Sequence, residues 1–371
     1  MRFLLAGGGT AGHVNPLLAT GHVLREGGNE VIVLGTQEGL ESDLVPAHGF
    51  PLETIEKVPL PRKPTPALMT LPLRLRRAVK RCEELLEGVD VLVGFGGYVS
   101  TPAYFAARSR GVPVVIHEQN VRPGLANRLG AQWARVVALT FESTPLQARR
   151  GMTTVTGLPL RSAISELAQA RRHPDQLQDR RFQAAARLGI SSDMKTLLVT
   201  GGSLGAVHLN EVVTQAARFL PEDVQVIHLT GRGKDEAVRT AVQEAGVSSR
   251  WLVHDYLSTM EDALAVADLV LCRSGAGTVA EMTALGLPCV YVPLPIGNGE
   301  QRLNAADHVA CGGALLVEDA CVDADFVREE VFSLMLSDHL DQMKRASVNI
   351  GKTDAATRLA DLVMGEAMAR G

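Results

Sequence analysis

The feature that most constrains the fold is an alternation that runs, breaks and restarts. The apolar runs "RFLLA", "EVIVLGT", "DVLVGFG", "PVVIHE" and "VVALT" alternate with longer segments of helical period. The stretch "GMTTVTGLPLRSAI" then brings a Gly-Leu-Pro break, and polar "QARRHPDQLQDRR" follows. Alternation resumes with "TLLVTGG", "VQVIHLTG", "RWLVHDY", "LVLCRSGAG", "PCVYVPLP" and "GALLVED". Strands that are apolar on both faces, each followed by a helix, imply parallel sheets covered on both sides. A chain of 371 residues exceeds one ordinary core. The restart therefore predicts an α/β protein of two Rossmann-like, doubly wound domains, residues 1–160 and 161–351. Both open with the same grammar of strand, glycine turn and helix, "FLLAGGGTAGHVNP" and "LLVTGGSLGAVHLN". Ligands of such sheets bind at the carboxyl ends of the strands, so two facing domains would share a cleft.

Composition narrows the function classes. Aromatic residues make up 4% of the chain, which argues against base-stacking nucleic-acid modules. The cysteines Cys82, Cys272, Cys289, Cys311 and Cys321 are odd in number and form no C-x-x-C pair, so they read as buried hydrophobes in a reducing compartment. No apolar run is long enough to span a bilayer, and "MRFLLA" lacks the apolar core of a signal peptide, which predicts a cytoplasmic protein. Residues 1–160 hold 17 Lys and Arg against 13 Asp and Glu, whereas the remainder holds 20 against 28. A basic front half fits an anionic surface or substrate on that side, and chance surface variation fits equally.

Gly7, Gly9 and Gly12 have the G-x-G-x-x-G spacing. Glycines at a strand-to-helix turn let a ligand approach the backbone and leave helix N-terminal N–H groups facing an anion. A dinucleotide site also needs an acidic residue at the tip of the next strand. Here that strand ends in Gly35, Thr36 and Gln37, with Glu38 serving only if the boundary slips. A second cluster, "GFGGYVSTP", ends another first-domain strand; with Gly9, its Gly96, Gly97 and Tyr98 would cradle a pyrophosphate beside Ser100 and Thr101. Tight turn packing is the alternative for any one of these glycines. His13 stands at the start of a helix, where the dipole disfavours imidazolium, suiting it to be a neutral general base; a capping histidine is the plainer reading. "HEQN" supplies Glu118 as a second candidate base.

In the second half, "CRSGAGTVAEMTALGLP" follows a strand and opens a helix. Its small residues leave room for phosphate, and Glu281 lies about one turn in, where a carboxylate accepts hydrogen bonds from ribose hydroxyls. "PLPIGNGEQRLNA" supplies Gln301 at a loop–helix junction.

The ordered motifs "GGGTAGH", "GFGGYVS", "HEQN", "TGLPLR", "GGSLGA", "CRSGAGTVAE" and "GEQRLNA" resemble those of the bacterial peptidoglycan N-acetylglucosaminyltransferases, which are two-domain GT-B glycosyltransferases. The resemblance runs from residue 7 to beyond residue 300. It implies inverting transfer of N-acetylglucosamine (GlcNAc) from UDP-GlcNAc to the C4 hydroxyl of N-acetylmuramic acid (MurNAc) in undecaprenyl-pyrophosphoryl-MurNAc-pentapeptide (lipid I), giving lipid II, with no cofactor and no metal. Carried over by motif, Thr10, Ala11 and Gly12 would lie beside the donor and Asn120 near its sugar. Arg161 and Ser203 would meet the donor diphosphate, and Leu257, in "HDYL", the uracil. Ala276, Gly277, Thr278, Val279, Ala280 and Glu281 would hold ribose and phosphate, and Gln301 the sugar hydroxyls. A closing helix, about 352–371, would pack back on the first domain. Two positions depart from the family pattern: Ala11 replaces a common glycine, and Glu300 precedes Gln301 where many members carry two glutamines.

A lipid-linked acceptor requires contact with a membrane, at the cytoplasmic face and peripherally. The segment Leu68–Arg81 sets Leu68, Met69, Leu71, Leu73 and Leu75 beside Arg74, Arg76, Arg77, Lys80 and Arg81, a composition suited to anionic lipid. An ordinary amphipathic helix burying Leu71, Leu75, Val79 and Leu86 is the alternative. Other cell-wall synthesis proteins are possible partners. Asp323-Ala324-Asp325 reads as a helix cap rather than a metal site. Competing functions are a UDP-GlcNAc epimerase, a transferase with a soluble acceptor, a nicotinamide dehydrogenase and a non-catalytic nucleotide-sugar binding module.

Overall fold

The computed structural model describes residues 1–57, 67–202, 205–296, 298–348 and 350–370. The chain divides into two compact units, Met1–Ser162 with Lys352–Gly371, and Ala163–Gly351.

The first unit is a seven-stranded parallel sheet ordered β3-β2-β1-β4-β5-β6-β7. Its strands are β1 (Arg2–Gly7), β2 (Glu30–Gly35), β3 (Leu52–Thr54), β4 (Val91–Gly96), β5 (Val114–Glu118), β6 (Val136–Leu139) and β7 (Met152–Val155). Successive side chains of a strand point to opposite faces, so each central strand feeds two cores. Phe3, Leu5 and Val93 pack with Val14 and Leu17 of α1 (Ala11–Glu26) and with Leu359 and Val363 of the closing helix Ala355–Met368. Leu4, Leu34 and Leu92 pack on the other side, against Ala78 and Cys82 of α3 (Ala67–Leu85) and Tyr104 of α4 (Ser100–Arg110). Between these run the short helices α2 (Glu41–Ala47) and α5 (Leu125–Gly130). The closing helix is also tied by hydrogen bonds, Lys352 Nζ to Val155 O at 3.1 Å and Arg370 Nη1 to Val89 O at 2.9 Å.

The second unit, Ala163–Gly351, is a six-stranded parallel sheet ordered β10-β9-β8-β11-β12-β13. Its strands are β8 (Lys195–Thr200), β9 (Val224–Leu229), β10 (Trp251–His254), β11 (Leu269–Cys272), β12 (Cys289–Tyr291) and β13 (Ala314–Leu316). All eleven apolar runs singled out in the sequence lie on strands. The strands that pattern does not reveal, β3 and β7, are the two edges of the first sheet; β7 lies inside the stretch read as a break, and half-exposed "MTTV" has no continuous apolar run to announce it. The polar stretch after the break is mostly the helix Pro174–Leu188, opened by proline at its first position and closed by Gly189 at φ 70°. Its Arg181 reaches Asp268 Oδ2 at 3.0 Å and the Val266 carbonyl at 2.7 Å.

In each sheet the strand order reverses once, between β1 and β4 and between β8 and β11. Such switch points leave a crevice at the carboxyl ends of the two flanking strands. The chain places its glycine-rich turns there.

Candidate active site

At the first switch point β1 runs into Gly8, Gly9 and Thr10, and α1 begins at Ala11. Because Ala11 already has helical geometry, it needs no positive φ, which explains how alanine replaces glycine there. Thr10 is the N-cap, yet its side chain makes no capping bond; its Oγ1 instead lies 3.0 Å from His13 Nδ1. The β4–α4 turn packs directly against this one. Gly97 has φ +82°, and a Cβ there would fall 2.6 Å from Gly8 O, so only glycine lets the two backbones touch. A Cβ on Gly96 would sit 3.2 Å from His13 Nε2. Gly9, Gly96, Gly97, Thr10, Ala11, Gly12 and His13 are thereby brought together, with exposed Tyr98 at the margin under Lys57 Nζ, 5.5 Å from its ring centroid.

Not every glycine in the second cluster serves a ligand. A Cβ on Gly94 would lie 2.0 Å from the Tyr104 hydroxyl, so this position makes room for a buried side chain. Ser100 is equally internal: it is buried, and its hydroxyl donates to Gly96 O at 2.8 Å.

Burial is the main force on His13 and lowers its pKa below the ordinary histidine value; contact with the Gly8 backbone and the charge of Glu41 oppose that shift. The lowered pKa keeps the imidazole neutral near pH 7, with desolvation as its largest cause. Glu118 is placed differently. Its carboxylate is buried and accepts three hydrogen bonds, from Asn120 N (3.0 Å), Gly124 N (3.0 Å) and Asn127 Nδ2 (2.9 Å). Burial outweighs these bonds and raises its pKa. Asn127 also accepts from the Tyr104 hydroxyl at 2.7 Å, so Glu118 anchors the 118–124 loop from behind. Asn120, partly buried in that loop, accepts from Thr144 Oγ1 through its carbonyl at 3.2 Å. His117 is fully buried, with a pKa lowered by desolvation to about 4, and its Nε2 lies 2.9 Å from Gly157 O. Arg161 is partly buried and follows the buried run Thr156–Leu160.

One residue of this turn system escaped the sequence reading. Glu41 is completely buried at the start of α2, and its carboxylate accepts from Gly9 N (2.8 Å), Thr36 N (2.9 Å) and Thr36 Oγ1 (2.7 Å). Burial pushes its pKa up, but these donors win and hold it below the usual glutamate range. The Gly9 N–H is thus already engaged; what Gly9 offers a ligand is open space, since a Cβ there would meet nothing within 4 Å. By sequence, the acid nearest the end of β2 is Glu38. The carboxylate that matters is three residues on and turns inward.

At the second switch point β8 is followed by Gly201 and Gly202, then Gly205 and Ala206, and then the helix Val207–Gln215; Ser203 lies outside the described residues. A Cβ on Gly205 would fall 2.0 Å from Thr230 O, which fixes this turn against the end of β9. Across the crevice β11 leads through buried Arg273 and Ser274 to the N-cap Gly275 and the helix Ala276–Leu285. Arg273 Nη1 bonds Val292 O at 3.1 Å and Asp319 Oδ1 at 2.5 Å. Cβ atoms on Gly275 or Gly277 would meet nothing within 4 Å, so this helix N-terminus is open. Ala276 and Val279 are buried, while Gly277, Thr278, Ala280 and Glu281 are partly buried on the more open side. Leu257, partly buried, follows β10. Gln301 lies in the helix Glu300–Asn304, and its Oε1 accepts from Leu294 N at 3.0 Å. Glu300 N donates to Asn298 Oδ1 at 3.2 Å. Asp323 is a helix cap, its Oδ1 accepting from Phe326 N at 2.8 Å.

On α3, Leu71, Leu75 and Val79 pack against the first unit's core, and Leu86 just beyond it is buried. The side chains of Leu68 and Met69 lie outside what the structure describes. Arg74 is 2.7 Å from Glu56, and Arg81 is 3.0 Å from Glu53. Leu73, Arg76, Arg77 and Lys80 are exposed at i, i+3, i+4 and i+7, one outward face. Among the described residues, no helix is long and apolar enough to cross a membrane.

Comparison with known proteins bears on what these turns do. Residues 3–139 match the glycosyltransferase family 28 N-terminal domain, and residues 196–361 match the family's C-terminal domain. A Bifidobacterium adolescentis protein named UDP-N-acetylglucosamine–N-acetylmuramyl-(pentapeptide) pyrophosphoryl-undecaprenol N-acetylglucosamine transferase is 47% identical, covering 97% of this chain and 96% of its own length. A Streptomyces coelicolor protein of the same name is 45% identical, covering 100% and 99%. The crystal structure of Acinetobacter baumannii MurG superposes with a TM-score of 0.77 at 26% identity, covering 98% of this chain and 99% of that one. A Neisseria meningitidis UDP-GlcNAc 2-epimerase bound to UDP-GlcNAc superposes with a TM-score of 0.68 at 14% identity, covering 100% of each chain, and shares the fold.

Proposed function

The chain belongs to glycosyltransferase family 28, and from that premise we propose how its two units divide the reaction. It is a UDP-GlcNAc-dependent N-acetylglucosaminyltransferase that acts on lipid I and yields lipid II. The second unit holds the donor and the first holds the acceptor. What supports this division is the position of the glycine turns at the switch points of both sheets, with a histidine in the first and an open helix N-terminus in the second.

In the second unit, the N–H groups of the Ala276–Leu285 helix face the donor diphosphate, where an oriented dipole stabilises charge on departing UDP. Ser203 adds to that field. Glu281 accepts from the ribose hydroxyls and the backbone at Leu257 meets uracil. Gln301, with its oxygen on Leu294 N, presents its amide NH2 to the sugar. In the first unit, the opening amides of α1 and the Gly96–Tyr98 turn receive the acceptor pyrophosphate, and Gly9 supplies the close approach.

His13 is the base. In the tautomer that puts the ring proton on Nδ1, 3.0 Å from Thr10 Oγ1, Nε2 carries a lone pair. It takes the proton of the MurNAc C4 hydroxyl as that oxygen bonds to C1 of GlcNAc. The C1–O bond to the diphosphate breaks, its electron pair leaves with UDP, and the anomeric centre inverts. Glu118, buried behind Asn127 with three donors upon it, anchors the loop instead. The outward face of α3 rests on anionic lipid at the cytoplasmic surface. The test is mass spectrometry of a lipid I analogue incubated with UDP-GlcNAc. Gain of one GlcNAc with release of UDP is expected, and UDP-GlcNAc binding without transfer would reduce the protein to a binding module.

A further inference from the structure

Glu41 is a carboxylate for which the first unit has built a compartment. Three glycines from three segments enclose it: Cβ atoms would fall 2.3 Å from its Oε1 at Gly8, 2.5 Å from its Cγ at Gly35 and 2.1 Å from its Oε2 at Gly39. Each would displace the side chain. Among the described residues it has no ion-pair partner. Its charge is met only by N–H and O–H donors, an arrangement costly to bury and therefore informative.

The use of both oxygens explains why a carboxylate stands here. Oε1 takes both donors of Thr36, at the tip of β2, while Oε2 takes Gly9 N–H, in the turn that carries Thr10 and His13. A glutamine could satisfy only one side, because its NH2 would oppose a donor on the other. Among the described residues Glu41 is also the one charged side chain acting on His13. The other neighbours (Thr10, the Gly8 backbone, Gly96, and Asn127 beyond Gly96) are neutral.

We propose that Glu41 is a positioning residue for the transferase reaction: it fixes the Gly8–Thr10 turn through Gly9 N–H and supplies from beneath the negative charge that favours the imidazolium His13 becomes on taking the acceptor proton. The proposal rests on His13 being the base. It also assigns the Gly9 amide to the protein; because His13 N and Val14 N already donate to Thr10 O, each at 3.1 Å, the anion is left the amides of Ala11 and Gly12 that open α1.

The experiment is steady-state kinetics of Glu41→Gln in the full-length enzyme against pH. Loss of the turn's geometry lowers kcat about 10- to 100-fold, while KM for UDP-GlcNAc, whose proposed site is in the other unit, stays within about twofold. Removing the charge also moves the acid limb of kcat/KM to lower pH, because Glu41 is what raises the His13 pKa against its burial. A wild-type kcat, or a reduced kcat with an unmoved acid limb, would overturn the proposal, the latter marking Glu41 as structural only. Should the glutamine variant not fold, Glu41→Asp keeps the charge and withdraws its reach to Gly9 N–H; for this variant kcat falls with the acid limb nearly in place, and a wild-type kcat would overturn the proposal. Failure of the base assignment is distinct, because His13→Ala would then retain turnover whatever Glu41→Gln does.

Discussion

The two units open with the same phrase, strand, glycine turn and helix, yet use it for different chemistry. In the first unit the turn is gripped by a buried carboxylate, and its helix carries a desolvated histidine one turn in. In the second, Gly205 fixes the turn by packing on the Thr230 carbonyl, and the neighbouring helix opens onto space at Gly275 and Gly277. The first arrangement holds a titratable group in a set place; the second presents a static dipole. A shared backbone grammar thus marks where a site can form, and on the proposed assignment the side chains beneath each turn determine whether it moves a proton or stabilises a charge.

The sharpest way to break this comparison is His13→Ala. Loss of a general base costs about 10²- to 10⁴-fold in turnover, and donor affinity should be unchanged if, as we propose, the second unit holds the donor. The wild-type pH profile should also show the histidine. Its pKa is lowered in the folded protein, so activity is full near neutrality and declines as pH falls through a value below 6.5. The alanine variant should lose that limb, as read from kcat/KM against pH. Equal donor-binding losses in isothermal titration would show that the first unit holds nucleotide, erasing the division.

Next in size is the outward face of α3, which has no counterpart proposed in the second unit. Arg76, Arg77 and Lys80, at about 1 kcal/mol each near an anionic surface, should together give roughly 100-fold in vesicle affinity at low salt. Replacing all three by Ser should abolish most co-sedimentation with anionic vesicles while leaving transfer to a detergent-solubilised acceptor intact. Equal co-sedimentation of both proteins would return this helix to an ordinary core-packing role.

A smaller effect tests the open helix. Gly277→Leu has room for its Cβ, and leucine is the better helix former by roughly 0.8 kcal/mol, so stability should hold or rise. The side chain would occupy space assigned to diphosphate, so KM for UDP-GlcNAc should increase on the order of tenfold, with the melting temperature as control. An unchanged KM would move the donor away from this turn.

Much of this was legible in the sequence, for a physical reason. Central parallel strands are buried on both faces, so "RFLLA" and "TLLVTGG" must be continuously apolar, and their pattern announces them. Edge strands have no such requirement, and polar "MTTV" passes for a linker although it is β7. The glycine turns were equally visible, but their assignments were not. Gly94 and Gly97 read alike in one dimension; one clears space for Tyr104 and the other touches Gly8. Glu41 was hidden because its partners, Gly9 and Thr36, belong to separate segments that meet only when β1 pairs with β2. The faint signal was its setting: glycines at 35 and 39 just before it, on either side of the short turn that follows β2.

The smallest expected effect comes from the residue that most resembles His13. His208 also stands near the start of a helix after a glycine turn, but its Nδ1 lies 3.2 Å from Asp319 Oδ2. Asp319 in turn receives Arg273 at 2.5 Å. Asp319 already serves Arg273, so we assign His208 a packing role in the second unit and no part in proton transfer. His208→Ala should therefore change kcat less than about threefold, within the 0–1 kcal/mol typical of a partly exposed pair. Measured beside His13→Ala, it isolates the identity of the turn from the mere presence of a histidine. If both alanine variants lost turnover alike, position after a glycine turn, rather than desolvation and the Thr10 contact, would govern the chemistry, and the contrast between the two units would dissolve.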